Sequence, residues 1–182
     1  HEVTPDALAA AACYRCMLRL RPGSAYAQSG LTRLHRPALE RARSAYHRKA
    51  HDALRDHAAL AVRIDPTRPE PYILSGRAAL AQGDANAAFE IFATGLDACA
   101  FDGWLALNHA RAAARLNRPL TAARSYAQVL AACDAKSIDL HDEAHEKLAV
   151  LMAHIQYSLD VSSEDLRRLR APSETKKLLQ CD

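Results

Sequence analysis

The stretch Ala61-Val-Arg-Ile-Asp-Pro-Thr-Arg-Pro-Glu-Pro-Tyr72 places three prolines within six residues, between two segments of helical character. A helix cannot pass through Pro66, whose ring clashes with the carbonyl four residues back and which has no N–H to donate. Pro69 and Pro71 instead suit the first turn of a new helix, where a missing N–H costs little. The stretch therefore reads as a sharp joint between two helices. The fold turns on whether that joint recurs.

It does recur. Met17-Leu-Arg-Leu-Arg-Pro22 returns as Ala61-Val-Arg-Ile-Asp-Pro66 at an offset of 44 residues. Further on, Ala81-Gln-Gly-Asp-Ala-Asn-Ala-Ala-Phe-Glu-Ile-Phe92 matches Arg115-Leu-Asn-Arg-Pro-Leu-Thr-Ala-Ala-Arg-Ser-Tyr126 at an offset of 34, pairing Ala88 with Ala122, Phe92 with Tyr126 and Leu96 with Leu130. A small residue, an aromatic four later and an apolar residue four after that make one face of a helix. A period of this length carrying two helices marks a solenoid, in which each unit buries its face only against its neighbours.

These residues resemble the tetratricopeptide repeat family. Its pattern is an aromatic, two residues, Leu-Gly, two residues and an aromatic, followed by a small residue, an aromatic and a proline. Tyr72-x-x-Ser75-Gly76 carries the first half, and Gly83-Asp84, Ala88, Phe92 and Gly95-Leu96 carry the second. The joint ending at Pro66 is similar to the family's inter-repeat linker. The resemblance covers residues 5–136, with departures: Ser75 and Ala79 replace larger residues, and Ala100 stands where a proline is expected. It implies an all-α fold, a tetratricopeptide-type helical-hairpin solenoid closed by a C-terminal capping helix pair.

The expected units are a helix within 1–24, in register with second helices through Ala10, Tyr14 and Leu18; a repeat at 25–68; repeats at 69–102 and 103–136; a capping pair at 137–170; and a tail at 171–182. The 44-residue spacing puts ten extra residues in the first repeat, expected to lengthen both of its helices into a projecting hairpin. Thr4, Pro5 and Asp6 mark a helix start. Ile138 to Leu159 reads as a long helix, and Ser162-Ser-Glu-Asp165 resembles a capping box before another. The helix at 1–24 lacks its partner in the sequence, so a longer parent chain or an unusual cap is expected.

Composition limits the function. The 182 residues are 49% hydrophobic, 25% charged and only 5% aromatic, an alanine-rich mixture that favours closely packed helices. A net charge of +3 is mild and does not by itself call for nucleic acid. The longest nearly apolar run, Ala7 to Cys13, is far too short to span a bilayer. Five cysteines without framework spacing suggest a reducing compartment, the cytoplasm, although the opening residue His1 leaves a removed leader open.

Catalysis finds little support. His141-Asp-Glu-Ala-His145 sets two imidazoles one turn apart and resembles a zinc-protease helix, but its glutamate, Glu143, comes one position late and no third ligand is evident. Cys13-Tyr-Arg-Cys16 has metal or redox spacing without a second pair, and reads as small core residues. There is no glycine-rich phosphate loop or nucleophile elbow. No enzyme activity, cofactor or metal is expected; a metal-dependent hydrolase through His141 and His145 is the weakest alternative.

Binding has more. The resemblance implies a concave groove lined by the first helix of each pair. Arg33 follows Pro22 by eleven residues as Arg77 follows Pro66, and Arg111 and His145 continue at steps of 34. Such a row would hold carboxylates by charge-assisted hydrogen bonds. In the same frame Trp104 matches Glu70 and faces the groove beside Leu107, Asn108 and Arg111, the best hot-spot position, with Tyr26 at the other end; in a frame shifted by two, Trp104-x-x-Leu107 instead matches Tyr72-x-x-Ser75 and turns to the core, at the cost of forcing Arg111 inward. The family's carboxylate clamp for chaperone tails is not expected: Asn108 fits one position, but Ile73 and Arg77 stand where Lys and Asn are needed. The expected function is an adaptor, scaffold or chaperone that binds an acidic peptide segment. The alternative is a nucleic-acid-binding helical repeat using Arg36, Arg41, Arg43, Arg48 and Lys49 of the insertion.

Overall fold

The ends of the helices have local chemical causes. Ser24, Asp84 and Asp102 each accept a hydrogen bond through the side chain from the backbone N–H three residues on, at Ala27, Ala87 and Leu105, which satisfies an otherwise orphaned donor of the first turn. Lys49, Gly83 and Asn117 take left-handed φ angles of 56°, 84° and 54°, each just past the end of a helix. These caps and turns delimit eight helices in a computed structural model that describes residues 5–132 and 138–159. They are α1 (Pro5–Leu20), α2 (Ala25–His47), α3 (His51–Ile64), α4 (Glu70–Ala81), α5 (Ala85–Ala98), α6 (Gly103–Arg115), α7 (Pro119–Ala132) and α8 (Ile138–Leu159). The described residues contain no strand, and none of their helices is long and apolar enough to cross a membrane. Thr4, the segment at 162–165 and the tail at 171–182 lie outside the described residues.

The three left-handed turns stand 34 residues apart, at 49, 83 and 117. That regularity places the ten extra residues before Lys49, inside α2 alone. The second helices α3, α5 and α7 have 14 residues each, whereas α2 has 23 against 12 in α4 and 13 in α6. The expectation that both helices of the pair lengthen is therefore corrected, and α2 runs unbroken through Pro37. Its apolar period continues across the proline at Leu31, Ala38, Ala42 and Ala45, all buried, so packing outweighs the lost hydrogen bond.

Every substantial interface joins helices one or two places apart: each helix packs on the next, and α2, α4, α6 and α8 also pack in succession as one layer. Small residues allow the close approach. A Cβ at Gly76 would fall within the Phe92 ring, and one at Gly30 within the Tyr14 ring. Phe92 is fully buried among Tyr72, Ala79, Ala88 and Leu105.

The long α2 serves two cores. Its N-terminal half packs with α1 and the end of α3, through Ala11, Leu31, Ala38, Ala61 and Ile64. Its C-terminal half packs with α3 and α4, through Ala42, Ala45, Leu54, Ala58 and Ala78. The extra turns are thus packed rather than projecting, and α4 covers only the C-terminal half. The joint between α3 and α4 is locked by Asp65, which is 2% exposed. Asp65 accepts from the Thr67 hydroxyl at 2.7 Å, the Thr67 N–H at 3.2 Å and Arg68 Nε at 3.1 Å. The Tyr72 hydroxyl donates to the Pro66 carbonyl at 3.1 Å.

Candidate functional site: an arginine-lined groove beside the long helix

Where α2 outreaches α4, an open groove of about 1190 Å³ remains. Its walls are Leu18 of α1, the Gln28, Thr32, Arg33, Arg36 and Pro37 face of α2, and the joint Asp65–Pro69. Two cavities of about 440 Å³ share its walls, one reaching Arg15 and Arg19, the other His35, Arg43 and Glu70. Six guanidiniums, from Arg15, Arg19, Arg33, Arg36, Arg43 and Arg68, meet only three carboxylates, from Glu40, Asp65 and Glu70.

The guanidiniums are held differently. Arg15 donates to the carbonyls of Arg63 and Ile64, the latter at 2.7 Å, and so caps the C-terminus of α3. Arg68 bridges Asp65 and the Thr32 hydroxyl, the latter at 3.2 Å. Arg36 pairs with Glu40 at 2.7 Å, and Arg43 with Glu70 through Nη2 and Oε2 at 2.7 Å. Arg33 is exposed and makes no ion pair among the described residues.

Buried groups below the groove are perturbed. Burial pushes the Asp65 carboxyl up, but its bonds from Thr67 and Arg68 outweigh this and hold it below the usual range. His35 is 5% exposed, its Nε2 has no partner, and burial pushes its pKa down. Away from the groove, His109 of α6 lies between the Phe89 ring at 4.5 Å and the Ser125 hydroxyl at 2.9 Å and is likewise pushed down by burial.

The expected row lies on the layer of α2, α4, α6 and α8, but its members differ. Arg77 is exposed, 5.9 Å above the Tyr46 ring. Arg111 is tied to Glu143 by two bonds, of 2.8 and 2.6 Å, which neutralise it in place. His145 is exposed and stacked on His141, with ring centroids 6.3 Å apart. Trp104 is 52% exposed and Tyr26 70%.

Leu107 and Asn108 are corrections. Leu107 is fully buried, and Asn108 is buried with its side chain spent on the Trp104 carbonyl and Arg111. The cause is position: α6 packs on α4, α5, α7 and α8, which cover nearly all of its faces. Neither residue can meet a partner beside Trp104.

The basic insertion is not one stripe. At 100° per residue, Arg36 and Arg43 share one face of α2, while Arg41 and Arg48 lie well over 100° round the helix. Arg48 donates back to the Ser44 carbonyl at 3.3 Å, and Lys49 sits in the turn. Cys13 and Cys16, expected in the core, are exposed on the outer side of α1, because among the described residues the substantial interfaces of that helix are with α2 and α3 alone. Among the described residues no group of three or more His, Cys, Asp or Glu side chains is placed to hold a metal ion.

Sequence reasoning missed Arg15, Arg68 and Asp65. Asp65-Pro-Thr67 carried a turn signal, an aspartate able to accept from the residue two places on. Nothing local announced that Arg68 would reach Thr32, 36 positions away. No family model matches the chain, and a search of curated proteins finds no match either.

Proposed function

We propose that the chain is a tetratricopeptide-type solenoid that acts as a non-enzymatic interaction module, an adaptor, scaffold or chaperone that holds an acidic peptide segment of another protein. The recurrence of left-handed turns every 34 residues and the continuous layer of first helices support the fold. The groove beside α2 carries the function: a cleft of about 1190 Å³ in which guanidiniums outnumber carboxylates and Arg33 makes no ion pair among the described residues. Arginines presented from a rigid wall recognise carboxylates bidentately, and their summed field speeds capture of an anionic segment. Free thiols at Cys13, Cys16 and Cys99 accord with work in the cytoplasm.

Fluorescence anisotropy with a labelled decapeptide rich in Asp and Glu tests the reading. The wild type should bind it, and Arg33→Glu/Arg36→Glu should weaken binding at least tenfold, since both side chains are exposed and leave the fold intact. Equal binding by the two proteins, or tighter binding of single-stranded RNA than of the peptide by the wild type, would overturn it.

A further inference from the structure

We infer that the partner segment is read along one edge of the array, the edge made by the joints between helix pairs, and that it carries bulky apolar residues on both sides of its acidic centre. This rests on the acidic-peptide reading and adds the anchors and their register. Because consecutive helices are antiparallel, the connections alternate between two edges. The left-handed turns at 48–50, 82–84 and 116–118 lie on one, and the joints at 21–24, 65–69 and 99–102 lie on the other.

Seven large apolar side chains are exposed among the described residues, and four of them lie at these joints: Leu20 (79% exposed), Tyr26 (70%), Phe101 (51%) and Trp104 (52%). Water-exposed apolar side chains at the first and third of these joints are costly to leave uncovered, and aromatics are the side chains most used as anchors in interfaces. The arginine groove opens on the same edge, between the two apolar groups, with the joint Asp65–Pro69 as its wall. The surface is continuous, because the Cys99 thiol lies 3.6 Å from the Pro66 carbonyl and so joins neighbouring connections directly.

The anchors are held in place. Tyr26 meets the Tyr14 ring edge-on at 5.8 Å. Trp104 sits in the first turn of α6, capped by Asp102, with its carbonyl held by Asn108 at 2.7 Å. Preorganised anchors of this kind lose little entropy on binding. Spacing sets the register. Tyr26 and Arg33 are two helical turns apart, about 10 Å, which an extended chain spans with about three residues. From α2 across α4 to α6 is two helix spacings, about 20 Å, or about six residues. The partner is therefore an extended segment of roughly a dozen residues, acidic in the middle and apolar at both ends.

Two labelled synthetic peptides of about twelve residues test this. They share an Asp/Glu centre, and one carries Leu and Phe at its two ends where the other carries Ser. The wild type should bind the apolar-ended peptide at least tenfold more tightly. Phe101→Ser/Trp104→Ser should reduce that preference, leaving only the part owed to Leu20 and Tyr26, and leave affinity for the Ser-ended peptide unchanged, whereas Arg33→Glu/Arg36→Glu should weaken both. If the wild type does not discriminate, or the Phe101/Trp104 variant keeps the full preference, the edge is wrong and the acidic-peptide reading stands. If the wild type binds neither peptide, both fall.

Discussion

At the scale of the residue, Asp65 shows how a buried charge is kept. It is 2% exposed, yet three donors from Thr67 and Arg68 hold it ionised. Asp65→Ala leaves those donors without their acceptor and should cost about 3 kcal/mol, read as a lower urea midpoint. The pH dependence follows from the shifts. Asp65 has a folded pKa below its unfolded value of about 3.9, so its contribution is full above that pH and is lost as pH falls through the folded pKa. His35 and His109 are also lowered, so below about 6.5 the unfolded chain binds protons that the folded chain refuses. Stability should thus decline in two stages on acidification, the first beginning near pH 6.5. Around His35, Asp65 and Glu70 raise its pKa and Arg68 and Arg43 lower it, with burial dominant. His35→Leu removes the orphaned Nε2 and should shrink the loss of melting temperature between pH 7 and pH 5 without lowering stability at pH 7; an unchanged slope would remove His35 as its source. Little of this was legible in the sequence: Asp65-Pro-Thr67 carried a turn signal but nothing that announced its burial, and His35 stands in no motif. Their character comes from elements that close over them.

At the scale of the element, α2 separates what the sequence could say from what it could not. Periodicity placed the helices, because small, aromatic and apolar residues fall at the right intervals and alanine packing demands them. The ten extra residues were legible as a number but not as a location. The clue was the turn at Lys49, in step with Gly83 and Asn117, and lysine does not advertise a left-handed conformation as glycine and asparagine do. By local chemistry Pro37 favours a break, which the continuous apolar face of α2 overrides. That override has a cost, since Pro37 offers no N–H to the Arg33 carbonyl. Pro37→Ala restores the donor, at the expense of a more flexible unfolded chain, and should stabilise the protein by about 2 kcal/mol. Pro37 is exposed in the wall of the groove, so the same variant reports on the site. A rise in the urea midpoint with weaker binding of the acidic decapeptide would show that α2 trades stability for groove shape, and a lower midpoint would show that the proline fits the helix without strain.

At the scale of the whole molecule, the packing is nearly one-dimensional: every substantial interface joins helices one or two places apart. The candidate groove was illegible for that reason. Arg15, Arg33 and Arg68 come from α1, α2 and the joint between α3 and α4, and no repeat period connects them. The same order makes a prediction about cooperativity. Arg111 of α6 and Glu143 of α8 form a two-bond ion pair across the layer, with side chains 34% and 30% exposed. Such a pair is partly screened by solvent, so Glu143→Gln should cost about 1 kcal/mol. In a globular core that loss would be felt by every helix. In an array with only near-neighbour terms it should appear where it is made. Hydrogen exchange should therefore quicken about fivefold in α8, the equivalent of about 1 kcal/mol, while α2 to α5 keep wild-type rates. Uniform acceleration across all eight helices would mean that the array opens as a single unit, and the nearest-neighbour account of its stability would fail.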